Sequence, residues 1–219
     1  MAHELDEQGL VVGFQLSVDL LALRLGDATY QLRLFPNRVD VALLNSRPDT
    51  ERVLTALEVV FAHMKPDRLA RPEFVFQWVA PIAHQTYGEA RLAAAAEVFS
   101  EAGSTFTDFA VLADGRVDEP EIDYRLECGI VEASEIAPRL AGQASRLTGY
   151  PEDLDAPSSL WSPDTMPEVA FYCDSVWRPD GAPEPTADGV MSCWQDTLAE
   201  AERVVSYVQA RFGLTGGSE

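Results

Sequence analysis

The feature that most constrains the fold is a change of hydrophobic period near residue 50. Between Leu10 and Asn45 apolar residues alternate with polar ones in short runs, the pattern of strands with one buried face. Gly26-Asp27 and residues 36–38 interrupt the runs with residue types typical of turns. The N-terminal part therefore predicts an antiparallel meander of three or four strands.

From Val53 the apolar spacing becomes helical, and Pro66 is expected to end that helix. The available N-caps are Ser46, Asp49 and Thr50. A strand at 74–78 and an Ala-rich helix at about 89–102 follow.

The second half of the chain predicts a hairpin, a further strand and a long helix. Segments 106–112 and 122–128 alternate, and Asp114-Gly115 between them predicts a type I′ turn. Ser134 is expected to cap a short helix, and 169–173 forms another strand. The last helix carries one apolar stripe: Trp194, Leu198, Ala201, Val205, Val208 and Phe212.

These elements predict a single α+β domain spanning residues 1–219. In it the meander continues into one mixed sheet, with about four helices packed mainly on one face. Residues 1–9 and 214–219 are expected to be flexible, and residues 151–165 and 178–190 to be loop-like.

Charge excludes several classes of function. The formal net charge is −20, which is incompatible with ordinary phosphate-backbone binding, so no direct nucleic-acid partner is expected. Lys65 is the single lysine, and no Gly-Lys-Ser/Thr triplet for a phosphate-binding loop exists.

The cysteines and histidines lack the spacing of a zinc site, and residues 118–123 lack the residue spacing of a calcium-binding loop. No metal and no cofactor are therefore expected.

The three cysteines indicate reduced thiols and a cytoplasmic protein, although Cys173 and Cys193 could pair if the fold brought them together. Cys128 is expected on a strand, as a small core residue. The acidic N-terminus does not resemble a signal peptide, and no apolar run reaches membrane-spanning length, so no membrane partner is expected.

The strongest candidate for function is the acidic region 150–190, which holds nine acids and one base together with several aromatic residues. Carboxylates steer a basic partner and aromatic side chains anchor it. We therefore expect a non-enzymatic protein, of the bacterial immunity or inhibitor type, that neutralises a basic protein such as a secreted toxin. The candidate contact residues are Glu152, Asp153, Asp155, Trp161, Asp164, Asp174, Trp177 and Asp180.

Two alternatives remain open. The first is a hydrolase in which His84, after the strand at 74–80, pairs with a carboxylate such as Asp114 or Asp174 as a general base. The second is a structural or chaperone-like homo-oligomer that pairs through an edge of the meander or through the final helix. The sequence is compatible with a monomer or a homodimer.

Overall fold

The structure is a computed structural model that describes residues 11–16, 21–25, 30–35, 38–43, 50–83, 86–98, 110–136 and 167–215. The strands are β1 (Val11–Leu16), β2 (Leu21–Leu25), β3 (Tyr30–Phe35), β4 (Arg38–Leu43), β5 (Phe74–Pro81), β6 (Ala110–Asp118), β7 (Glu121–Glu132) and β8 (Val169–Pro179). The helices are α1 (Thr50–Met64), α2 (Tyr87–Val98) and α3 (Ala187–Arg211), and residues 133–136 form one further helical turn.

The α+β class is confirmed. The chain divides into two compact units: the first contains β1–β4 and α1, and the second contains β5–β8, α2 and α3 from Gly189 onwards. The expected single domain stays a prediction. No helix among the described residues has the length and apolar character needed to cross a membrane.

The first unit contains the predicted meander. Its sheet has the order β1-β2-β3-β4, and every pair is antiparallel, with Leu23 opposite Leu32 and Leu32 opposite Val41. This pairing of apolar residues in register explains the period-2 pattern of the sequence.

α1 begins at Thr50 and buries one apolar stripe, formed by Val53, Ala56, Leu57, Val59 and Val60. It ends at Met64, immediately before Lys65. Lys65 takes a left-handed conformation (φ 45°), and its amide donates to the Phe61 carbonyl (2.9 Å). The chain therefore leaves the helix through an αL cap just before Pro66, where the sequence predicts the end.

The second unit is a four-stranded sheet of order β5-β8-β7-β6. All its pairs are antiparallel, and β4 does not join it, so the expected single mixed sheet is replaced by two separate antiparallel sheets. β8 lies between β5 and β7 and runs antiparallel to both, so this sheet contains no parallel pair of strands.

One face of this sheet is covered by helices, and we call it the covered face. Its core includes Leu126, Cys128 and Ile130 from β7, with Phe171 and Cys173 from β8. Against them pack Ala90 and Ala94 of α2 and, from the C-terminal part of the chain, Val205 and Leu214. Both helices thus lie on the same face, which supports the expected one-sided packing.

The hairpin turn is not at Asp114-Gly115, as the sequence predicted, but at Glu119-Pro120, whose peptide bond is cis. β6 runs straight through Gly115, opposite Tyr124. A Cβ atom on Gly115 would collide with the Tyr124 ring, which stacks on Trp177 with centroids 4.7 Å apart. Glycine is needed here for close approach within a strand and not for a turn.

α3 begins at Ala187, seven residues before Trp194, and it has buried residues along its length: Ala187, Met191, Thr197, Ala201 and Val205. Ala201 and Val205 are buried, whereas Trp194 is half-buried and lies outside the clusters that these two residues join. The segment expected to be a loop, 178–190, is shorter, because β8 continues to Pro179 and α3 begins at Ala187.

The helix ends in a Schellman motif. Gly213 has φ 65° and its amide donates to the Ala210 carbonyl (3.0 Å), while the Leu214 amide donates to the Gln209 carbonyl (3.0 Å). Leu214 is fully buried, so the flexible tail predicted from residue 214 is wrong at that residue.

Gly115→Ala is expected to lower the free energy of unfolding by about 1–3 kcal/mol, because the new methyl group must displace a ring held by stacking. Gly181→Ala is the matched control, since no atom lies within 4 Å of the place that its new methyl group would take. Urea denaturation of both variants measures the difference. Equal stability of the two variants would contradict the close approach.

Val205→Asp is expected to destabilise the protein by about 3 kcal/mol or more, because it buries a charge in the core of the second unit. Ser206→Asp adds the same charge at the next, exposed position and is expected to change stability little. Thermal unfolding followed by circular dichroism compares the two. A similar loss in both variants would show that α3 packs through another side.

Candidate partner-binding surface

The second sheet also has a face opposite to the covered face, and part of it is exposed. Side chains of directly paired residues share a face, so the register assigns this surface without ambiguity. We call the exposed part the open face, and it consists of Val75, Leu112, Asp114, Arg125, Glu127, Asp174 and Val176.

Two carboxylates lie directly opposite each other at the centre of the open face. Glu127 of β7 pairs with Asp174 of β8, and Gln77 and Leu112 complete this row across the sheet. The pair concentrates negative charge at the centre of the open face. Glu127 is exposed, whereas Asp174 is half-buried and its Oδ1 atom is enclosed, so Glu127 is the more accessible carboxylate of the two.

Apolar side chains flank the carboxylate pair. Leu112 is 58% exposed on β6 and Val75 is 41% exposed on β5. Asp114 and Arg125 face each other in the next row, beside Val176. The open face therefore offers three carboxylates, one guanidinium and three apolar side chains on strands paired in continuous register.

At one end the open face meets a group of cross-linked charges, which we call the arginine cluster: Arg71, Arg116, Asp123 and Asp180. Asp123 accepts from Arg71 at 2.8 Å and from Arg116 at 3.0 Å. Asp180 lies 3.1 Å from Arg116 and 3.7 Å from Arg71. Arg71 also donates to the carbonyls of Arg178 and Pro179, which ties the segment before β5 to the end of β8.

These contacts change the acidity of the cluster. Hydrogen bonds from Arg71 and then Arg116 lower the pKa of Asp123, and hydrogen bonds to Asp180 and then Asp123 raise the pKa of Arg116. Their side chains are about two-fifths exposed, so solvent screens the individual pairs. The main effect of the cluster is to hold elements together, because one network of contacts joins β6, β7, the end of β8 and the segment before β5.

A groove of about 490 Å³ lies between the end of β6 and α3, on the side of the sheet that α3 covers. Its lining includes Arg116 and Asp118 from β6, Tyr124 from β7, and Arg203 and Tyr207 from α3. Tyr207 is 68% exposed. Arg203 is held by Glu200 at 2.7 Å, so the groove combines aromatic surface with balanced charge.

Three of the contact residues predicted from the sequence lie in the described part of the chain. Asp174 is half-buried on the open face, and its role in partner contact stays a prediction. Asp180 is exposed, but it serves the arginine cluster. Trp177 is fully buried on the covered face, so its assignment to a contact surface is corrected: its Nε1 donates to Ser175 Oγ (2.8 Å) inside the core.

The remaining predicted contact residues lie outside the described residues: Glu152, Asp153, Asp155, Trp161 and Asp164. His84 lies outside them as well, so the proposed general-base pair with Asp174 stays a prediction. Within the described ranges no group of three or more His, Cys, Asp or Glu side chains is placed to hold a metal ion.

Glu127 and Leu112 are the residues that the sequence analysis missed. Both stand on predicted strands, but their importance comes from strand order, which places β7 between β6 and β8. Comparison of the chain with protein-family models, with curated proteins and with solved structures gives no match. Function is therefore inferred from the surface chemistry of the described residues.

The arginine cluster predicts a specific pH dependence. The pKa of Asp123 is depressed in the folded state, so its contribution to stability is present above its usual pKa of 3.8 and is lost as the pH falls through the folded value. Asp123→Asn is expected to lower Tm at pH 6, with a gap to the wild type that closes below about pH 4. Asp118→Asn, outside the cluster, is the control. A gap that is the same at pH 6 and pH 3 would contradict this role of Asp123.

Proposed function

We propose that this chain is a non-enzymatic binding protein that neutralises a basic protein partner through the open face. The class is that of the cytoplasmic immunity proteins that bacteria keep beside a secreted toxin.

The observation that carries the proposal is the opposed pair of Glu127 and Asp174, flanked by the exposed Leu112 and Val75. A Lys or Arg side chain from a partner would donate hydrogen bonds to the exposed carboxylate of Glu127, and the charge of Asp174 would add to the attraction. The apolar neighbours would exclude water around that contact, as the surroundings of an interface hot spot do.

The charge of the whole chain supports the same partner. A net charge of −20 attracts a basic protein over long distances and raises its association rate. Long-range attraction does not select a site, whereas the open face provides local features that do. The two effects together account for fast capture and for a defined contact.

The regular frame under the open face supports tight binding. The carboxylate pair lies on the two central strands of the sheet, and the arginine cluster ties the ends of these strands together. A surface that is already ordered loses little conformational entropy when a partner binds.

The test is a comparison of two charge-matched triple variants. The open-face variant carries Asp114→Asn, Glu127→Gln and Asp174→Asn. The control variant carries Glu184→Gln, Asp196→Asn and Glu202→Gln, three exposed carboxylates elsewhere in the second unit. Both change the net charge by the same amount, so they separate local contact from long-range attraction.

A partner is first captured from native lysate at low salt with the wild-type protein, identified, purified and titrated by calorimetry. We expect a basic partner of defined stoichiometry, a loss of at least about 30-fold in affinity for the open-face variant, and a change within about threefold for the control. Circular dichroism verifies that both variants are folded. Equal losses in the two variants, or a captured protein that is not basic, would contradict the proposal.

A further inference from the structure

Two buried cysteines meet at the centre of the covered face. Cys128 of β7 and Cys173 of β8 are direct partners in the antiparallel register. They are 2% and 0% exposed, and their Sγ atoms lie 2.6 Å apart. All three cysteines are free thiols in this structure, and Cys193, which the sequence offered as a partner for Cys173, lies on α3.

We propose that Cys128 and Cys173 are a disulfide-forming pair, and that the chain folds with this bond closed when an oxidant of the disulfide class is present. Directly opposed residues of an antiparallel pair have Cα atoms about 4.5–5.5 Å apart, which lies inside the range that a disulfide spans. The strands already hold the two sulfur atoms together, so closing the bond needs no rearrangement of the sheet.

The bond forms by thiol–disulfide exchange with a small disulfide such as oxidised glutathione. The thiolate of one cysteine attacks a glutathione sulfur, which gives a mixed disulfide and releases one glutathione thiolate. The second cysteine then attacks the protein sulfur of that intermediate, which closes the Cys128–Cys173 bond and releases the second glutathione. The protein loses two electrons and two protons, and oxidised glutathione takes them up and becomes two molecules of reduced glutathione.

Burial decides when this exchange takes place. The hydrogen bond with Cys128 and the loss of solvent both raise the pKa of the Cys173 thiol, and only the thiolate reacts. The exchange therefore runs while the chain folds, before the helices cover the sheet. Once formed, the bond is shielded from reductants by the same burial.

The bond links residues 45 positions apart and leaves the open face unchanged, because both sulfur atoms lie on the opposite side of the sheet. Partner binding through the open face is therefore expected to be the same in the oxidised and the reduced protein. The proposal is independent of the proposed function, and either one can fail alone.

The test is made on the wild-type chain, so it does not depend on a variant that folds. The reduced protein is unfolded in denaturant and refolded in a buffer of oxidised and reduced glutathione. After a second denaturation without reductant, free thiols are alkylated, the intact mass is measured, and the digested peptides are mapped. Cys193→Ser is a second sample in which the proposed pair is the sole pair of cysteines.

We expect one alkylated thiol, Cys193, and a linked peptide that joins Cys128 to Cys173. We also expect a Tm about 5–10 °C higher for the oxidised protein than for the same sample after reduction. The Cys193→Ser protein is expected to show no free thiol. Three alkylated thiols in the wild type, or a linked peptide that contains Cys193, would overturn the proposal.

Discussion

The second unit depends on the burial of β8 between two antiparallel neighbours. β8 pairs with β5 on one side and β7 on the other, and residues Val169–Cys173 are buried on both faces. Beyond them burial alternates, with Ser175 and Trp177 inside and Arg178 outside. A central strand of this kind fixes the register of the whole sheet, because a shift by one residue would exchange its two faces.

That register ties the core and the candidate site together. Trp177 stacks on Tyr124, and this ring in turn requires a glycine at position 115 of β6. Asp174 lies three positions before Trp177 and is therefore directed to the opposite face. One register of β8 therefore buries the indole of Trp177 and also places the carboxylate of Asp174 opposite Glu127. Packing on the covered face thus positions the chemistry of the open face.

Local periodicity predicted much of the fold. The alternation before residue 45 indicated the meander, and the stripe at Ala201 and Val205 indicated the packing side of the last helix. A signal for Trp177 was also present, because continuing the alternation of Val169, Phe171 and Cys173 places it on their face. Its position in a strongly acidic segment favoured a surface role instead, which the structure corrects.

The features that the sequence analysis missed arise from non-local pairing. The Asp114-Gly115 pair has the residue types of a tight turn, but the close approach of Tyr124 uses the glycine within a strand. The opposition of Glu127 and Asp174, and the contact of Cys128 with Cys173, require β7 beside β8, which are separated by a long connection. No local sequence pattern predicts that β7 and β8 are neighbouring strands. This explains why strand positions were predicted better than the residues that meet across strands.

In the proposed function a basic group of the partner binds to the open face and not to acidic residues elsewhere in the chain. A two-dimensional ¹H–¹⁵N NMR titration of the folded chain, with a short arginine-rich peptide as a defined probe, distinguishes the two. We expect saturable shifts that concentrate on the amides of Leu112, Glu127 and Asp174, with small shifts at the acidic positions of α3 such as Asp196 and Glu202. Shifts spread evenly over all acidic segments, or strongest on α3, would contradict the assignment of binding to the open face.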